Sequence, residues 1–480
     1  MKAVFPGIER LQRCGLGPLL LLGAGVVQAQ VSPYIPLQDR ELNAQIEGLA
    51  VVANLPAMRK PFVVAEVRAC LERVRERLPE LYAELDAALR RHEQGLALTA
   101  AEATVATSHG AKEAGPMPNA FGERPESGFR VAAQGHWRLG DGLLVSAGGR
   151  VADVPSGAVP VGSFVALGGK YLQLDLGWRE RWLSPFQDSA MVLSTEARPS
   201  LSAGLSNPQA LRGLWNLHYE VFLSRLERVP HVYDAGRIQP GRPWLMGTHF
   251  SVEPLAGWTL GFTRTLQFGG GATEVTPRSI WDAFWNPVKS DNKGSFGNQE
   301  ASFTSKLNVP WRTPFSLYVE YAAEDTASLS NSRLGNLALS FGVFVPFLPD
   351  WLLGKRWAFT YEFSEWQDGW YVHGKYCDGY TNDGVVMGHW GGSLRVPQDG
   401  VGATAHTARL QWRPGRGLFW EATYRRIENE DYGRVDYGTG RSLDLRVAGP
   451  LGSHRWGGRL LGGQDVFRNR YLRGELSWIW

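Results

Sequence analysis

From residue 128 to its end the chain alternates between apolar and polar positions. In "YLQLDLGW", Leu172, Leu174, Leu176 and Trp178 fall on one side of an extended segment, and Tyr171, Gln173, Asp175 and Gly177 on the other. The same period places Phe315, Leu317, Val319 and Tyr321 on one face, then Trp357, Phe359, Tyr361 and Phe363, then Leu418, Trp420, Ala422 and Tyr424. Each run approaches the roughly 9–11 residues that a tilted strand needs to cross a bilayer. At about 20 residues per strand and connection, this region holds some 16–18 strands, and bacterial barrels favour even counts. The pattern therefore predicts a mainly β protein, a transmembrane antiparallel β-barrel over 128–480. A soluble sandwich or propeller also alternates, but it explains neither the aromatic strand ends nor the terminus. Arg264 interrupts the Trp258, Leu260 and Phe262 face, so a bulge or an inward twist is expected there.

The last residues read "GELSWIW". Leu472, Leu476, Trp478 and Trp480 share one face of a strand that has no polar tail after it. Such an ending suits the closing strand of an outer-membrane barrel. Leu476, Trp478 and Trp480 are accordingly expected to be the signal presented to the barrel assembly machinery.

Upstream the period changes to that of a helix. Leu42, Ile46 and Leu49, then Val67, Leu71, Val74 and Leu78, then Leu81, Leu85 and Leu89 form three stripes, with Pro79 placed for a first turn. Residues 30–93 are thus expected to form a small α-helical bundle whose apolar stripes need something to pack on, for which the periplasmic mouth of the barrel is available. Residues 94–127, rich in Ala, Gly, Pro, Ser and Thr, read as a flexible connector without secondary structure. At the start, Lys2, Arg10 and Arg13 precede the apolar "GLGPLLLLGAGVV", and "VQA" ends at Ala29, so 1–29 reads as a secretory signal. Beyond it no apolar run approaches the roughly 18 residues of a spanning helix.

Composition agrees with this class. Fifty Lys and Arg oppose 47 Asp and Glu, which gives no electrostatic case for nucleic acid. Trp (19), Tyr (15), Phe (21) and Gly (57) are abundant, while strands with one lipid face and one lumen face average to a middling hydropathy. Cys70 and Cys377 are too few for a disulfide scaffold, and the barrel height is expected to separate them.

Two long connections break the alternation: 276–300, with Trp281 and Trp285, and 365–400. Barrels keep long loops outside, so both are expected at the cell exterior. The second is the densest in chemistry. Trp366, Trp370, Tyr371, Tyr376, Tyr380 and Trp390 offer flat apolar faces, while Asp368, Asp378, Asn382 and Asp383 offer hydrogen-bond acceptors. Sugar rings present an apolar C–H face and a hydroxyl rim, so this mixture suits a polysaccharide. The same side chains could instead fold inward as the core of a plug, and the two readings are compatible. His373 and His389 with Asp378 and Asp383 follow no metal-ligand spacing, so no metal or other cofactor is expected. No nucleophile elbow or metalloprotease helix occurs. Asp378 and Asp383 could cleave a glycosidic bond only at a defined separation, and an enzyme is the minor reading.

Several segments, in order, resemble the Wzi-type capsule assembly family. They are "SPYIPLQDRELNAQIEGLA", "RKPFVVAEVRACLERV", "NPQALRGLWNLHYEVFLSRLE", "PHVYDAGRIQPGRPWLMGTHFSVEP", "GFTRTLQFGGG" and "NQEASF". One departure is "RWLSPFQDSAMVLSTEARP", where only Trp182 and Pro185 match a Trp-Trp-Gly-Pro-like turn. The resemblance implies an outer-membrane barrel of about 18 strands, plugged by its N-terminal helices. It further implies a non-enzymatic surface lectin, expected to be a monomer, that helps capsular or exopolysaccharide attach to the cell. A porin-like channel for sugars is the alternative, since Gln173, Asp175 and Glu320 would suit an aqueous lumen as well as a plug.

Overall fold

Inward and outward residues part along each strand of the wall, which is how the sequence builds it. The computed structural model describes residues 30–110, 117–272, 274–285, 296–324 and 335–480; the signal read at 1–29 lies outside them. Among the described residues nineteen strands join in one antiparallel sheet. One, Gly157–Val159, is a three-residue ribbon on the end of Leu143–Ala152. The other eighteen close the barrel, because the last strand, Arg470–Ile479, pairs with the first, Leu96–His109.

The first strand lies where the sequence suggested a connector. Its register shifts between Leu98 and Ala100, so the outward set passes from Leu98 to Ala101 and the alternation slips by one. Small Ala and Thr side chains blur what remains, and the period is invisible to a hydropathy reading.

Outward residues form an apolar exterior. In the last strand Leu472, Leu476 and Trp478 are exposed, while Tyr471, Arg473 and Glu475 point into the lumen and are buried. Trp480 follows the strand, donates its backbone N–H to the Ala101 carbonyl at 2.9 Å and lies 4.4 Å from the His454 ring. One end of the barrel has short turns, such as 256–257, 416–417 and 452–453. Trp258, Trp357, Trp412, Trp420, Trp456 and Trp478 crowd the outer wall beside those turns, with Trp357 stacked on Trp412 at 5.2 Å. Such a girdle is what a membrane interface selects. The long connections gather at the opposite end.

Arg264 needs no bulge. Its strand, Trp258–Phe268, pairs with Gly297–Val309 without a register shift, and Arg264 stays on the outer face. A helix in the first long connection, Pro277–Trp285, covers it. Arg264 donates to the Ala283 carbonyl at 3.2 Å and to Gln299 at 2.5 Å, while Leu266, Phe268 and Ala283 pack together on the outer wall. A guanidinium near a helix C-terminus is favourable there. Residues 286–295 of that connection lie outside the described residues.

Three helices, α1 (Arg40–Ala53), α2 (Val64–Leu71) and α3 (Pro79–Glu93), pack at the short-turn end around Ile46, Leu49, Val67, Leu71, Leu85 and Leu89. Asp39 caps α1 by accepting from the Leu42 N–H at 3.1 Å. Glu47 of α1 is the deep anchor, paired with Lys60 at 2.6 Å and with Lys306 of the wall at 3.5 Å. Cys70 is buried in α2 and Cys377 lies in the far loop; both are free.

Candidate functional site

The lumen is filled by a segment that the sequence reading left within the run of strands. Residues 178–200, between strands Gln173–Gly177 and Leu201–Ser206, thread the barrel interior and are almost wholly buried. This is the stretch that departs from the expected turn. Trp182 pairs its backbone with Lys60 in both directions, at 2.8 and 2.9 Å, so the N-terminal region and the inner segment are stitched together. Phe186 meets Tyr318 edge-on at 4.7 Å. Its carbonyl accepts from Lys60 Nζ at 3.0 Å.

Asp188 fixes the segment to the wall. Its carboxylate accepts from Arg425 Nε at 2.8 Å and Nη2 at 2.6 Å, from Arg409 Nη2 at 2.6 Å and from Thr407 Oγ1 at 2.9 Å. The Gln187 and Asp188 backbone N–H groups donate to Glu362 at 2.7 and 2.9 Å. Burial alone would raise the Asp188 pKa, but Arg425 and Arg409 hold the carboxyl well below the usual range. Glu180 and Glu196 of the same segment lack such partners, and burial pushes each up to about 7.

The 365–400 loop closes the other end of this plug. Its six aromatics, Trp366, Trp370, Tyr371, Tyr376, Tyr380 and Trp390, are at most 3% exposed. All but Tyr376 share one core with Leu183, Met191 and Leu193 of the inner segment. Tyr376 packs instead on Val229 and Val232. Tyr371 Oη donates to the Met191 carbonyl at 2.5 Å and accepts from the His389 N–H at 2.8 Å. Tyr380 Oη donates to Thr265 at 2.9 Å and Tyr376 Oη to the Gly269 carbonyl at 3.0 Å. An exposed stacking platform built from these rings is not what the structure presents; their faces are covered. The reason is energetic: large rings gain more against Met191 and Leu193 than in water, and each hydroxyl finds a carbonyl or hydroxyl to bond. Asn382 is likewise structural, accepting from the Glu227 N–H at 2.9 Å and donating to the Arg198 carbonyl at 2.8 Å. Burial pushes His389, lodged between Trp366 and Trp390, down to about 3.

Asp378 and Asp383 remain at the surface. Asp378 faces His231 at 3.3 Å, and Asp383 faces Arg198 at 3.3 Å. Their neighbours come from elements the sequence reading left unassigned. A hairpin of Val229–Asp234 with Arg237–Gly241 lies along the loop, joined by Tyr233 N–H to the Lys375 carbonyl at 2.7 Å and Cys377 N–H to the His231 carbonyl at 3.1 Å. Half-exposed His231 and Tyr233 thus sit beside Asp378, with Gln398 donating to the Cys377 carbonyl at 2.6 Å. A second polar strip runs from Asp383 through Arg198 and Glu227 to Arg242, with spacings of 3.3–3.7 Å. The surface offers carboxylates, guanidiniums, an imidazole and a phenol side by side on loops held by an aromatic core. That arrangement can recognise hydroxyl-rich, flat-faced molecules. The sequence reading found neither 178–200 nor the 229–241 hairpin as part of the site; a lapse of period two across them is the signal that could have found them.

Comparison with known proteins follows the same line. No curated protein sequence matches this chain. Wzi of Escherichia coli, an outer-membrane protein involved in group 1 capsule assembly and described as a carbohydrate-binding β-barrel, is similar in structure. The TM-score is 0.70 at 16% identity, covering 93% of this chain and 98% of that one. OpdQ of Pseudomonas aeruginosa and OccAB4 of Acinetobacter baumannii reach only 0.45, at 11% and 8% identity, each over 79% of this chain and over 94% and 96% of their own. At the level of sequence, residues 104–460 match the model of the capsule assembly protein Wzi, and the chain belongs to that family.

Proposed function

We propose that this protein sits in the outer membrane as a monomeric, closed barrel that binds capsular or exopolysaccharide on its long-loop face and holds it at the cell surface without chemical conversion. Membership of the capsule assembly family supports the substrate class, and the Trp girdle beside the short turns supports a periplasmic place for the helices. The observation that carries the reading is the filled lumen. A segment tied to the wall by four hydrogen bonds to one buried carboxylate, capped by helices and by an aromatic loop core, favours among the described residues a binding surface over a conduit. Glycan contact falls to the exposed Asp383, His231 and Tyr233 and the half-buried Asp378, while Trp366, Trp370, Tyr371, Tyr376, Tyr380, Trp390 and Asn382 hold those groups in place.

The test is genetic. Deleting the gene should leave total polysaccharide unchanged but lower the cell-bound fraction, and a plasmid copy should restore it. An unaltered distribution between cells and medium would sink the proposal. Steady single-channel conductance of the purified protein would favour the porin reading instead.

A further inference from the structure

The helical bundle does not fill the short-turn mouth evenly. It leans on one side of the wall, where Asn308 donates to the Ala50 carbonyl at 3.2 Å, Glu47 reaches Lys306, and Gly48 lies against Pro346. On the other side a cavity of about 670 Å³ remains between α1 and the strands from Ala403 to Ile479. It extends to the turn holding exposed Arg416 and to Trp480 at the end of the chain. Its size is that of a small-molecule site rather than a packing defect.

The lining is charged and unbalanced. Eleven Arg and Lys side chains face seven Asp and Glu. Many are paired, as in Arg455 with Glu41 at 2.5 Å and Arg459 with Glu475 at 3.1 Å. Others are only partly so. Among the described residues Arg413 forms no ion pair, with Glu84 and Glu41 acting on it from a distance, and its buried Nη1 has no hydrogen-bond partner. Arg40, presented by α1, makes no side-chain hydrogen bond among the described residues and reaches Glu421 only at 3.8 Å. Arg446 pairs with Asp444 at 3.0 Å, but its buried Nε, 3.9 Å from Glu421, has no hydrogen-bond partner among the described residues. Burial, with Arg446 alongside, pushes the Arg40 guanidinium down to about 9, as befits a cation with incomplete counter-charge. Unspent guanidinium donors around a cavity are the chemistry that carboxylate and phosphate oxygens satisfy, two at a time.

We infer that this cavity is a second binding site, entered from the short-turn end, for an anionic ligand of two or three sugar residues' size that bears carboxylate or phosphate groups. It is separate from the long-loop surface, at the other end of the barrel, and does not depend on the polysaccharide reading of that surface. Uronate-bearing glycans and phosphate-bearing molecules share the required chemistry.

Full-length protein in detergent micelles is titrated by calorimetry with tri-galacturonate, tripolyphosphate and neutral maltotriose. The expected result is binding of at least one anion, none of maltotriose, and weakening as salt rises from 50 to 500 mM. The tighter anion names the source, carboxylate or phosphate. Arg413→Gln and Arg40→Gln should each weaken that anion about tenfold in protein that still shows heat-modifiable migration, while Arg312→Gln, an exposed change outside the cavity lining, leaves it unchanged. Failure of both anions to bind, equal binding of maltotriose, or full affinity in both arginine variants would overturn the inference. If Arg413→Gln does not fold, Arg416→Gln, an exposed change at the mouth, carries the same test with a smaller shift.

Discussion

Removing the Asp188 carboxylate is the sharpest perturbation of the plug. Asp188→Ala leaves Arg409 and Arg425 facing each other across a low-dielectric lumen, and it deletes four hydrogen bonds of 2.6–2.9 Å. Stripping one partner from a buried ion pair costs about 3–5 kcal/mol, chiefly because the remaining charge stays buried. At about 1.4 kcal/mol per factor of ten, the equilibrium between seated and released inner segment shifts by roughly a hundred- to a few thousand-fold. The backbone bonds to Glu362 and the Lys60 contact to Phe186 persist, so release is partial unless Glu362→Gln is added. Two assays read the outcome. A silent planar bilayer should acquire conductance bursts, and trypsin should cut after Arg179 or Arg181, both within the segment. Asp188→Asn, which keeps the shape and one acceptor, should fall between. A correctly folded Asp188→Ala barrel as silent and as trypsin-resistant as the parent would refute the anchoring argument.

The plug should also respond to pH. Glu180 and Glu196 keep their protons in the folded protein up to about 7, whereas the unfolded chain releases them near 4.5. The folded state binds more protons across that window, so the hold on the segment weakens as pH rises from about 4.5 to 7 and is level above it, by up to on the order of 3 kcal/mol per group. Bursts should be more frequent at pH 8 than at pH 5, and Glu180→Gln with Glu196→Gln should flatten that dependence. In the loop core, Tyr371→Phe deprives the Met191 carbonyl and the His389 N–H of their partner, at a cost of about 1–3 kcal/mol, and Trp370→Ala costs about 3–5 kcal/mol. Both should expose the 365–400 loop to protease and lower glycan affinity in the same proportion; a loop that stays protected while affinity falls would instead make the rings direct contacts. Loss of Trp480 should reduce the amount of heat-modifiable barrel in the membrane without altering the affinity of what assembles, because it completes the seam with Ala101.

What the sequence determined by itself is everything that depends on local period. Alternation places Leu472, Leu476 and Trp478 outward and Arg473 and Glu475 inward whatever else the chain does, and the stripe of Leu42, Ile46 and Leu49 makes a helix that must find an apolar partner. The first strand escaped because one irregularity at Leu98–Ala100 inverts its parity. Tertiary structure alone decided which charges meet. Asp188 lies 221 positions before Arg409 and 237 before Arg425, and no spacing rule reaches so far. It also decided which way the rings of the 365–400 loop turn. Six aromatics among glycines fit a sugar or a core equally well until Met191 and Leu193, delivered through the lumen by another segment, offer them a drier surface than water does.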